Sequence, residues 1–134
     1  MNDEQKMVVA FHKRFGVAAP ARPTVPTRDV CRSRAFLLKG EMKEILRALR
    51  RKRVDLVELS DGLADALYVI YGTAIAVGID IQPVFAEVHR SNMTKSQPSG
   101  LIRNGRVRKL SKGPNWSPPN IQPILTGQSR RAAH

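Results

Sequence analysis

Apolar positions over the first 95 residues recur at the spacing of helices, not of strands. Met7, Val8, Phe11 and Phe15 stand at i, i+1, i+4 and i+8 and predict a first helix over about 3–16. Asn2 or Asp3 can cap its start and Gly16 suits its end. Pro20, Pro23 and Pro26 then forbid helix and favour an extended connector. Val30, Phe36, Leu37, Leu38, Met42, Ile45, Leu46 and Leu49 predict a second helix over about 30–52, starting near Asp29. Gly40 in its interior costs roughly 1 kcal/mol relative to Ala. Arg47, Arg50, Arg51, Lys52 and Arg53 at its end complement the helix dipole. A third helix is expected over about 54–78, with Gly78 as its stop. On it, Leu56, Leu59, Leu63, Leu67 and Ile70 fall within an arc of roughly 80°. A fourth, over about 81–93, follows the cap Asp80, tolerates Pro83 in its first turn and offers Val84, Phe85 and Val88 as its apolar face.

Beyond Pro98 the character changes. LIRNGRVRKL places Asn104-Gly105 between short β-capable runs, a hairpin signal. GPNWSPPN reads as a loop, and IQPIL as at most a short turn or an extended arm. With few apolar residues, this stretch must dock on the helical body, dock on a second chain or stay mobile. The expected organisation is a helical domain over 1–95 and a basic tail over 96–134 with a small hairpin. The expected fold class is all-α.

Composition narrows the picture. Hydrophobic residues make up 42% of the 134, enough for one modest core, and aromatics only 5%, so aliphatics do most of the packing. The single cysteine, Cys31, excludes an internal disulfide and a cysteine-built zinc site. No apolar run approaches the ~20 residues of a membrane span, and MNDEQKMVVAF has no signal-peptide pattern. A cytoplasmic location with no membrane partner is therefore the expectation. Net charge is +12, and from Lys95 onward there are eight Lys and Arg and no acid. Such a tail attracts phosphates, whether of a nucleotide, a nucleic acid or an anionic lipid.

Against that basic background the acids are unevenly placed. Glu41 and Glu44 are i and i+3 on the second helix, so their side chains are neighbours. Glu58, Asp61 and Asp65 share an arc about 60° wide on the third helix, opposite its leucine stripe. These two faces hold five of the eleven acids, and only two acids follow them. If the helices pair antiparallel, the stripes meet, and carboxylates that converge repel unless a cation lies between them. A hard divalent ion, Mg²⁺ or Mn²⁺, suits oxygen ligands. Ordinary solvent-facing acids would show the same spacing.

The segments LLKGEMKEIL, ELSDGLADALYVIYGTAIAVGID and VFAEVHRSNMTK resemble the MazG-like, all-alpha nucleoside triphosphate pyrophosphohydrolases, in particular the short members similar to phosphoribosyl-ATP pyrophosphohydrolase. The resemblance extends over roughly 8–126. It implies a four-helix bundle, usually a dimer or tetramer, that uses Mg²⁺ to cleave a nucleoside triphosphate between its α and β phosphates. It assigns metal and catalysis to Glu41, Glu44 and Asp65, and phosphate binding to Asn92 and Lys95. Two positions depart from the family's pattern. Gly40 stands where many members have an extra Glu, and Gly62 stands where the Glu of ExxD is expected. Glu58 and Asp61, which spell an ExxD one turn early, are the expected substitutes as metal ligands. Lys109 and Lys112 of the tail are candidates to close over the phosphates. The competing expectation is a catalytically weak helical bundle that binds nucleotides or nucleic acid through its tail. His12 and His89 read as structural, Tyr68 and Tyr71 as packing residues, Cys31 as a plain thiol and Trp116 as an anchor for its own loop.

Overall fold

The computed structural model describes residues 1–17, 19–96, 102–103, 106–107 and 110–131. Five helices carry the fold: α1 (Asp3–Arg14), α2 (Arg28–Leu49), α3 (Leu56–Ala76), α4 (Ile81–Met93) and α5 (Gln122–Arg131). The fold is all-α. The only extended pair among the described residues is two-residue strands, β1 (Ile102–Arg103) antiparallel to β2 (Arg106–Val107). The Asn104-Gly105 turn between them lies outside the described residues, as does Lys109.

Side-chain caps set the helix starts. The Asn2 side chain accepts from the Gln5 amide at 3.1 Å, Thr27 from Val30 at 3.4 Å, Asp55 from Val57 at 2.8 Å and Asp80 from Gln82 at 3.1 Å. The second helix thus begins at Arg28, capped by Thr27, one residue before the expected start near Asp29. At the other ends, Gly16 and Gly78 take positive φ just beyond α1 and α3. The second helix stops at Leu49, so Arg51, Lys52 and Arg53 lie in the turn to α3 instead of on the helix.

The third helix is the centre of the packing: α2 lies antiparallel along one side of it and α1 crosses another. Glycines and alanines on α3 mark these approaches. A methyl group at Gly62 would stand 3.5 Å from Ile45 Cγ1, and one at Gly72 would stand 3.2 Å from the Arg34 guanidinium and 3.4 Å from His12 Nε2. The antiparallel register therefore sets Arg34 by Gly72 and Ile45 by Gly62, and it ends in an Arg51–Glu58 ion pair of 2.8 Å at the turn. Val8, Ile45, Ala48, Ala66, Ala74 and Ile75 form the buried apolar core. On the other side of the α2–α3 pair, Met42, Leu46, Leu49, Leu63, Leu67 and Ile70 stay about 40–54% exposed.

The fourth helix leaves α3 at 113° and does not pack along α2 or α3. The α3–α4 turn is held instead by two glutamines. Gln5 of α1, fully buried, donates to the Ile79 carbonyl at 2.7 Å and accepts from the Ile81 amide at 3.1 Å. Gln128 donates to the Asp80 carbonyl at 2.9 Å and accepts from the Asp80 amide at 3.0 Å. The terminal amine of Met1 adds a 2.8 Å ion pair to the Asp80 carboxylate. The proline connector joins the same place, with Thr24 N–H donating to the Val77 carbonyl at 3.0 Å.

Two expectations are corrected here. The stretch expected to be at most a turn or arm forms α5, because Gln128 fastens it to Asp80 while Ile124 and Leu125 are half-buried. Phe85, expected on the apolar face of α4, is 72% exposed. The loop before α5 docks on α4: Arg90 donates to Ser117 Oγ and the Pro118 carbonyl, and Asn120 N–H donates to Glu87. No single helix among the described residues is long and apolar enough to cross a membrane.

Candidate functional site

The α2–α3 groove reads from one end to the other as a sequence of pairings. At the α1 end, Arg34 lies beside Gly72 and His12. The middle belongs to acids. Glu41 is half-buried, and its carboxyl is held above the usual carboxylate value, first by partial burial, then by the negative charges of Asp65 across the groove and Glu44 one turn along. Three of the five sequence-predicted carboxylates are thus brought together from two helices. The far end is Glu58, tied to Arg51 in the turn. That ion pair occupies one carboxylate oxygen of Glu58 and draws it toward the turn. Asp61 lies between Asp65 and Glu58 on the same helix face, exposed, in an open depression that Asp55 and Glu58 also line.

The acids do not close on one point. Among the described residues, no three His, Cys, Asp or Glu side chains are gathered tightly enough to cage a metal ion by themselves. Gly62 contributes to this. It is buried against Ile45, so the groove is filled there by helix–helix contact where a carboxylate was the expected feature.

Asn92 is exposed near the end of α4, and Lys95 is half-buried just past the C-cap Thr94, with its amide donating to the Asn92 carbonyl at 3.1 Å. No described hydrogen bond or ion pair joins either to Glu41, Glu44 or Asp65. Lys112 stacks its ammonium 4.2 Å from the Trp116 ring centroid, which supports the reading of Trp116 as a loop anchor. A cavity of about 590 Å³ lies elsewhere, between α1, the proline connector, the α3–α4 turn and α5, with Gln5, His12 and Gln128 in its wall. His12 is buried with no partner for Nδ1 among the described residues, and burial, then the Arg34 charge, lowers its pKa.

Carboxylates of two helices thus lie near one another at the middle of an antiparallel pair in this all-α chain. The profile of the family described as Phosphoribosyl-ATP pyrophosphohydrolase matches residues 8–92, which is most of α1 and all of α2 and α3, and reaches the last turn of α4. The chain belongs to that family. A search of the curated proteins found no match. Membership of the phosphoribosyl-ATP pyrophosphohydrolase family carries the reaction class: this is a hydrolase of the pyrophosphate bond of a nucleotide. The matched region holds Glu41, Glu44, Glu58, Asp61, Asp65 and Asn92. Lys95, α5 and the basic tail lie outside it.

Sequence reasoning found the acids by their i, i+3 spacing. It missed Gln5 and Gln128, which set where α4 and α5 leave the groove. A glutamine on a helix has no periodic signal, and its role appears only when both sides of its amide meet one turn. It also missed the exposed aromatic group at the α1 end of the groove.

Proposed function

We propose that this protein is a Mg²⁺-dependent nucleoside triphosphate pyrophosphohydrolase, with Mn²⁺ as a substitute, acting as a homodimer or larger oligomer. The observation that carries the reading is the meeting of Glu41, Glu44 and Asp65 in a chain whose net charge is +12. Among the described residues none of the three carboxylates is in an ion pair with a Lys or Arg, and like charges that lie near one another suit a cation from solution. Mg²⁺ keeps several of its waters and is bound through one or two carboxylates plus substrate phosphates. A loose set of carboxylates fits that habit better than it fits a closed cage. Glu41, Glu44 and Asp65 would hold the ion, with exposed Asp61 as the supplementary ligand in place of the missing Glu at 62. The resemblance also offers Glu58, but its pairing to Arg51 makes it the weaker candidate.

Bound there, the ion would neutralise phosphate oxygens and acidify a coordinated water. A carboxylate of this set that is not bound to the ion is suited to take the proton that the attacking water gives up. Attack at phosphorus forms one P–O bond and breaks the bond to the bridging oxygen, giving the monophosphate and pyrophosphate. Asn92 and Lys95 are assigned to the phosphates, where a cation offsets the charge that develops on the leaving pyrophosphate.

The test is a panel of nucleoside triphosphates incubated with Mg²⁺ or Mn²⁺, with the products identified. Monophosphate and pyrophosphate are expected, and Glu41→Gln, Glu44→Gln or Asp65→Asn should abolish their formation. No turnover with any nucleotide, together with no calorimetric divalent binding at millimolar metal, would overturn the reading. A steep salt dependence of RNA binding in that case would point to the basic tail.

A further inference from the structure

Three aromatic side chains stand together at the α1 end of the acidic groove, and packing does not account for their exposure. Phe11 meets Phe15 at 4.6 Å between ring centroids and meets Tyr68 edge-on at 5.5 Å and 90°. Phe15 is 61% exposed, Phe11 43% and Tyr68 39%. The chain has only seven aromatic residues, so three left open in one place is a concentrated feature. Its position gives it meaning. At 100° per residue, Tyr68 lies within about 20° of Asp61 and about 60° of Asp65 around α3. It stands about 4.5 Å further along the axis than Asp65. Tyr68 and the acids Asp61 and Asp65 therefore share one face of α3, and Phe11 of α1, with Phe15 behind it, packs against Tyr68. The Arg14 guanidinium lies over the Phe15 ring, 5.9 Å from its centroid.

We propose that Phe11, Phe15 and Tyr68 form the stacking platform for the substrate's nucleobase, while the phosphates lie over Glu41, Glu44 and Asp65. This rests on the proposed reading of the acidic groove as the phosphate and metal end. A nucleotide is a planar ring joined to a charged phosphate chain. The face of α3 presents the matching order, with aromatic surface first and carboxylates for a cation next to it. Stacking accepts any base, because every base has a π-face, so the platform supplies affinity for nucleotides as a class. A second copy of the chain is the other occupant that such an open apolar patch could take.

The experiment measures binding of adenosine monophosphate and of ribose 5-phosphate, in millimolar MgCl₂, to the full chain and to Phe15→Leu and Phe15→Trp. Phe15 is the most exposed of the three, so its replacement perturbs packing least. The wild-type protein should bind adenosine monophosphate more tightly than ribose 5-phosphate. Phe15→Leu should weaken adenosine monophosphate binding about fivefold or more, with little change for ribose 5-phosphate, and Phe15→Trp should retain the preference. Equal affinity of the wild-type protein for the two probes would overturn the proposal. So would adenosine monophosphate binding by Phe15→Leu within twofold of wild type. A change of mass by light scattering in Phe15→Leu, with its nucleotide binding intact, would assign the patch to a second copy and overturn it likewise. The hydrolytic reading fails separately: wild-type protein that turns over no nucleotide, yet loses its preference for the base-bearing probe on Phe15→Leu, keeps the platform and loses the catalysis.

Discussion

At Glu41, burial and two like charges work against ionisation, and the sign of the consequence is fixed. The folded state holds this proton more tightly than the unfolded chain, whose carboxyl has the ordinary value of 4.5. As pH rises through the window just above 4.5, the folded state binds more protons than the unfolded one, so stability falls. Above the folded value that loss is complete. Metal-free Glu41→Gln should therefore melt as high as the wild type at pH 7, or higher, and its melting temperature should drop less between pH 4.5 and 7. Mg²⁺, if it binds only the folded groove, should raise the wild-type melting temperature with concentration and leave Glu41→Gln nearly unresponsive. Thermal melts across pH, with and without MgCl₂, check both halves, and a full Mg²⁺ response in Glu41→Gln would remove Glu41 from the ligand set. Glu87 behaves in the opposite way. Hydrogen bonds from Arg90 and from the Asn120 backbone N–H pull its carboxyl down to about 2. Its contribution is present above 4.5 and is lost as pH falls toward 2, so the 117–120 segment should stay on α4 until the pH approaches 2.

At the level of elements, the α3–α4 turn decides where three helices go. Gly78 has φ +70°, and a Cβ there would run into the carbonyls of Arg22 and Pro20 in the connector. Gly78→Ala must therefore adopt strained backbone and push the connector away, and should cost well over ~1 kcal/mol. Gln5→Leu fills similar volume but leaves the Ile79 carbonyl and the Ile81 amide without partners, a loss of about 1–3 kcal/mol per buried group. Urea unfolding of both variants gives the numbers, and a loss below about 0.5 kcal/mol in either would contradict the role given to this turn. These residues also show what the sequence could and could not reveal. The four main helices were legible because apolar residues repeat at 3.6 and caps sit at their starts, and Glu41 and Glu44 were legible for the same geometric reason. The pairing of Glu41 with Asp65 followed once antiparallel helices were assumed. The fate of Glu58 did not, because it depends on where Arg51 emerges from a turn. The fifth helix was hidden because QPILTGQSRR has only two large apolar residues, and its anchor is the Gln128 amide. Gly62 read in the sequence only as the place of a missing Glu and Gly72 carried no signal, whereas they are where α2 and α1 approach α3.

For the molecule as a whole, the α2–α3 pair has two unlike faces. One carries the acids. The other leaves Met42, Leu46, Leu49, Leu63, Leu67 and Ile70 about 40–54% exposed, a contiguous apolar stripe on both helices. Exposed apolar area of this kind marks an association surface. Within one chain, α4 swings away at 113° and leaves that stripe uncovered. Pairing of two copies through it would put two α2–α3 hairpins face to face and complete a four-helix bundle, with an acidic groove on each outer side. Helix pairs of this sort pack through ridges and grooves, and a charge placed at the centre of the seam is not tolerated. The wild-type protein at micromolar concentration should therefore scatter light as a particle of at least twice the 14.9 kDa chain mass. Leu67→Lys, at a position 54% exposed in the single chain, should leave the isolated fold nearly unaffected but break the pairing. It should return a mass near that of one chain and a melting temperature that no longer rises with protein concentration. A wild-type mass of one chain, or a Leu67→Lys variant that assembles as the wild type does, would remove this stripe as the interface and leave the bundle to be closed by other elements.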